Sequence, residues 1–150
     1  MKYLLVSLFI ASLCVSGCAV APPLATSSGR PEVTIQTAHV AKFRAMVIGA
    51  VVSHGGELVV DTPSLLKVRG DMTGAGAFAY QALLGNAHST QPKEAFVFTF
   101  VPMGSTTKIF VNAKVDMQNA FGGDQGSDFT AARGAKLQEM LEGAKAKVGG

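Results

Sequence analysis

The chain has 150 residues, 48% of them hydrophobic, with thirteen Lys+Arg against ten Asp+Glu, three His, nine Phe and no Trp. A formal net charge of +3, with no basic cluster interleaved with aromatics, leaves a nucleic-acid partner no footprint. Two cysteines, Cys14 and Cys18, sit close together near the start, so no disulfide framework holds the rest of the chain and an ordinary core must do so.

Met1-Lys2 supplies one positive charge, and Tyr3 to Val15, "YLLVSLFIASLCV", is almost wholly apolar. A spanning helix needs ~20 such residues, so this run is too short. A basic start, a short apolar stretch and small residues after it are the layout of a secretory signal peptide. Without Lys2, twelve Lys+Arg face ten Asp+Glu, and the processed chain is nearly neutral.

The end of that run, Val15-Ser16-Gly17-Cys18, resembles the bacterial lipobox. The resemblance implies cleavage between Gly17 and Cys18, a diacylglycerol on the Cys18 thiol and acylation of the new amino terminus. One acyl chain holds a protein only marginally at ~0.8 kcal/mol per buried CH2, whereas two or more hold it durably. Ala19 follows, where an Asp commonly retains lipoproteins at the inner membrane, so the implied address is the outer membrane, periplasmic side. Residues 1–17 are then the signal peptide, and residues 18–30 the lipidated cysteine and a tether. "AVAPPLATSSGR", Ala19 to Arg30, has two prolines and no periodicity. Fully extended it reaches about 40 Å at ~3.3 Å per residue.

Residues 31–150 are of a size for one domain. "PEVTIQ" predicts a strand, with Val33 and Ile35 on one face. Thr37 is placed to cap a helix over Ala38–Ser53, whose stripe is Val40, Phe43, Met46, Val47, Ala50 and Val51, with Lys42 and Arg44 pointing away. Gly55-Gly56 stops it. "ELVVD" (57–61) and "LLKVR" (65–69) predict strands around the turn "DTPS". Residues 71–85 read as a short helix or an ordered loop, and "NAHSTQPKE" as loop.

"AFVFTFV" and "TTKIFVNAKVDM" predict a hairpin around Pro102-Met103-Gly104-Ser105, with Val101 opposite Thr106. That register puts Phe96, Phe98 and Phe100 on one face with Ile109, Val111, Ala113 and Val115. The other face carries Val97, Val101, Lys108, Phe110 and Lys114 among others. "GGDQG" (122–126) reads as a flexible joint. Ser127 or Asp128 is placed to cap a last helix with Phe129, Arg133, Leu137, Met140, Leu141, Ala144 and Val148 on its stripe.

The expectation is an α+β two-layer sandwich: an antiparallel sheet of four to five strands with two helices on one face. The element order resembles the helix-grip arrangement of the C-type lipoprotein of the outer-membrane β-barrel assembly machinery. The chain also looks like small proteobacterial lipoproteins whose mature domain begins near "SGRPEVTI". Neither resemblance implies an activity.

Chemistry is thinly signalled. His39 and His54 lie at opposite ends of one predicted helix and His88 lies in a loop, none at i+3 or i+4 from another ligand type, so no metal is expected. "GDMTGAGAF" lacks the Gly-Lys-Ser/Thr ending of a phosphate loop. Ser89, His88 and Asp71 have no nucleophile elbow to support them. Catalysis and cofactors are therefore not expected. A protein partner surface at Val97, Val101, Lys108, Phe110 and Lys114 is the first expectation, since aromatic and basic groups together suit interfaces. Cover by the tether or by the Gly-rich segment is the plainer alternative. The second expectation is a small hydrophobic or lipid ligand in a cavity lined by Phe96, Phe98, Phe100 and Met140.

Overall fold

The structure, a computed structural model, describes residues 24–71, 91–118 and 124–149. The expected signal peptide with Val15, Ser16, Gly17 and Cys18, and residues 72–90, which hold His88 and nearly all of the expected short helix or loop, lie outside the described residues. Among those described, strands β1 (Glu32–Gln36), β2 (Glu57–Thr62), β3 (Leu65–Asp71), β4 (Lys93–Met103), β5 (Thr106–Gln118) and β6 (Asp124–Asp128) form one sheet. Helices α1 (Val40–Ser53) and α2 (Gly134–Val148) pack on one face of it. The order across the sheet is β1-β5-β4-β3-β2, every pairing is antiparallel, and β6 joins β5 on the edge that β1 also occupies. The fold is thus the α+β two-layer sandwich that the pattern of the chain predicts.

The hairpin β4–β5 turns more tightly than expected. Met103 pairs with Thr106, and only Gly104 and Ser105 remain in the turn. Gly104 takes φ +72°, the left-handed value a two-residue hairpin turn needs at its first central position. The pairing moves by two residues from the predicted register, and a shift of two leaves every side chain on its predicted face. Phe98 opposes Val111 and Phe100 opposes Ile109, all four buried. They form the core with Val33, Ile35, Leu66 and Val68 from neighbouring strands and with Phe43, Leu137, Leu141 and Val148 from the helices.

Three local readings are corrected. Thr37 does not cap α1; it opens a 3-10 turn, Thr37–His39, and its hydroxyl donates to Gly104 O at 3.2 Å. Its amide also donates to Ser105 O at 2.9 Å, so Thr37 ties β1 to the hairpin turn instead. Arg44 does not point away. Its guanidinium lies 4.6 Å from the Phe100 ring centroid and pairs with Asp61 on β2. Its long stem covers apolar surface while its head finds a carboxylate.

The third correction concerns residues 124–133. "DQGSD" is a strand, not a joint, and α2 begins at Gly134. Gly126 pairs with Asp116, and its missing side chain permits that approach, since a Cβ would stand 3.0 Å from Val115 O. Asp128 accepts from the Thr130 amide at 2.8 Å, closing a turn rather than starting the helix. Beneath β6, Phe129 packs on Val115 and Met117 as a second, smaller core.

The free edge of β1 is covered from above. Gln138 on α2 accepts from Glu32 N at 2.8 Å and donates to Glu32 O at 2.9 Å. One side chain thus satisfies both backbone groups that an edge strand leaves open.

Candidate ligand cleft

The five residues expected as a partner surface do share the face of the sheet opposite the helices. Val101 opposes Lys108, while Val97, Phe110 and Lys114 hold the same face through their pairings with Asn112, Thr99 and Ala95. Their neighbours break the apolar strip. Lys67, opposite Val97, is ion-paired to Asp116 at 2.6 Å. Further along, Arg69 and Lys93 both reach Glu57 at 2.9 Å, and these cations, Lys93 first, hold the Glu57 carboxyl below its usual range.

The tether covers the other end of the strip. Arg30 lies 5.7 Å from the Phe110 ring centroid and donates to Asn112 Oδ1 at 2.8 Å. Lys108 lies 5.8 Å from the same ring and donates to Ser27 Oγ at 2.9 Å and Glu32 Oε1 at 3.2 Å. The Ser27 and Ser28 hydroxyls both donate to the Glu32 carboxylate. Hydrogen bonds to the charged form favour it. Ser27, then Ser28, with Lys108 a smaller contributor, lower the Glu32 pKa to about 2. Phe110 and Lys108 are thus half-buried under the chain itself, while Val101 remains 40% exposed.

The helix side presents a different feature. Gly149, just past α2, lies beside His39, just before α1, so the end of one helix meets the start of the other. Between them and the sheet runs an apolar cleft of about 480 Å³. Its floor is Val68 and Phe96, opposite each other on β3 and β4, with Phe98. Phe43, Met46, Val47 and Val51 of α1 form one wall, and Met140, Leu141 and Ala144 of α2 the other. Three of the four residues expected around a cavity, Phe96, Phe98 and Met140, line it. Phe100 does not; it lies under Arg44. The α1 wall was missed as such, although the stripe Met46, Val47 and Val51 is the signal that marks it.

The cleft exists because the facing positions are small. Ala50 on α1 and Gly143 and Ala144 on α2 line it, and none supplies the bulk to fill it. Gly143 is telling. It sits exposed inside α2, where glycine costs about 1 kcal/mol relative to alanine, and among the described residues a Cβ there would meet nothing within 4 Å, as also at Gly49 of α1. No close packing and no positive φ demands it. The cleft volume falls within the ~300–1,000 Å³ of small-molecule sites, which are mostly apolar.

Among the described residues no group of three or more His, Cys, Asp or Glu could hold a metal, and no helix is long and apolar enough to cross a membrane. No protein-family model matches the chain, and no curated protein matches it.

Proposed function

We propose that the chain is a non-enzymatic lipoprotein, anchored through Cys18 to the periplasmic side of the bacterial outer membrane, whose folded domain binds a small hydrophobic or lipid ligand between α1 and α2. The observation that carries the ligand reading is the apolar cleft of about 480 Å³ between the helices and the sheet. The anchor reading rests on the Val15-Ser16-Gly17-Cys18 pattern after a short apolar run.

Two experiments test the two halves separately. Radiolabelled palmitate enters the wild-type chain and not Cys18→Ser; equal labelling removes the anchor. Native mass spectrometry of chain extracted from membranes detects a retained small molecule, and Gly143→Leu, which fills the cleft and raises helix propensity, loses it while remaining folded. A wild-type chain without adduct, or a Gly143→Leu chain with the same adduct, removes the ligand reading.

A second reading, an accessory partner within an envelope complex, is favoured by Val101 and Met103. They stay 40% and 51% exposed at the end of the hairpin. Val101→Glu leaves the core untouched and reduces recovery of a crosslinked envelope protein; unchanged recovery discards that surface.

A further inference from the structure

Resting on the ligand reading above, we infer that the occupant of the cleft is a single-chain amphiphile with an anionic head, its chain lying between the helices and its head paired with one of two lysines of α2, Lys136 or Lys147. The charge on the cleft's rim carries this. Lys136 and Lys147 both line it, eleven residues apart on α2, or about 16 Å at ~1.5 Å per residue. Among the described residues neither forms an ion pair. Most other cations of the domain are committed: Arg44, Lys67, Arg69, Lys93, Lys108 and Arg133 each hold a carboxylate. The rim also carries Glu139, so it has two cations and one anion around an apolar interior.

An apolar groove bounded by surplus ammonium groups complements a molecule with an apolar body and a negative end. A neutral hydrocarbon would draw nothing from the net positive rim, and a cationic amphiphile would be repelled by two charges against one. A volume of about 480 Å³ lies low in the usual range for ligand sites, which suits one chain. Long lysine stems can lie along the chain while their ammonium groups stay at the wet rim.

The test is calorimetric titration of the full chain with hexadecanoate and with hexadecanol, which share a chain and differ in head charge. Wild type binds hexadecanoate about tenfold more tightly at low salt, and the margin shrinks as salt rises. The Lys136→Gln/Lys147→Gln chain binds both equally and keeps its affinity for hexadecanol; both lysines are at the surface rim, so folding is retained. Equal binding of both probes by wild type overturns the head-group inference and leaves the apolar cleft standing. A preference that survives the double substitution overturns it as well. Binding of neither probe removes the ligand reading itself, and this inference with it.

Discussion

Glu32 shows how one side chain couples the start of the chain to the sheet. Its side chain faces away from the helices, is 8% exposed, and collects the Ser27 and Ser28 hydroxyls and the Lys108 ammonium. Those partners lower its pKa from 4.5 to about 2. The folded chain therefore binds fewer protons at this site than the unfolded chain across that interval. The stabilisation is fully present above the ordinary value and is lost as the pH falls from there through the folded value. Denaturant midpoints measured from about pH 6 down to about pH 2.5 fall for wild type. Glu32→Gln starts lower and loses this site's share of the slope. A slope that is unchanged in Glu32→Gln means that the tether does not hold Glu32 in solution.

At the scale of elements, α1 is fastened by one residue. Phe43 is its only fully buried side chain, and its ring meets Phe98 and Phe100 edge-on at centroid distances of 6.0 and 6.3 Å. Truncating it removes both contacts and opens a cavity beneath the helix. Phe43→Ala is expected to cost about 3–5 kcal/mol, whereas Val52→Ala, at a position 53% exposed, changes stability by less than about 0.5 kcal/mol. Paired urea denaturations check both; a small loss in Phe43→Ala would show that α1 is held by the half-buried cleft wall instead.

The strands show what the chain's pattern conveys and what it does not. Alternation on β4 and β5 is set by burial of Phe98, Phe100, Ile109 and Val111, which local sequence records, so their face was legible even with the turn misjudged by two residues. The position of β6 was not legible. It follows from a partner, β5, that continues past the end of β1's pairing and offers an open edge, and "DQGSD" itself carries no apolar alternation. The roles of Thr37 and Arg44 failed for the same reason. Each is decided by a contact remote in sequence: Gly104 for one, Asp61 and Phe100 for the other. The cleft was half legible. Its aromatic floor follows from strand alternation, but its openness depends on small residues of two helices meeting, and that requires knowing they are neighbours.

For the molecule as a whole, docking of residues 24–30 would change the geometry of the proposed attachment. A free stretch to Arg30 would let the domain range about 40 Å from its anchor at ~3.3 Å per residue. Residues 24–30 instead lie against the domain: Leu24 reaches Gly134 at the start of α2, and Ser27, Ser28 and Arg30 bind β1 and β5. Counting from Cys18, six residues to Leu24 leave a reach of about 20 Å. On the proposed Cys18 anchor, the β1–β5–β6 edge would face the membrane and the domain would turn less freely. If this docking stabilises the fold, a chain starting at Pro31 loses it. It leaves Glu32 with Lys108 alone and uncovers Phe110, at an expected cost of about 1–3 kcal/mol relative to a chain starting at Leu24. A measurable loss, accompanied by faster amide exchange at Glu32, Lys108 and Phe110, means that residues 24–30 belong to the domain. Equal stability and exchange in the two chains would restore a loose tether, and with it a domain free to face any direction.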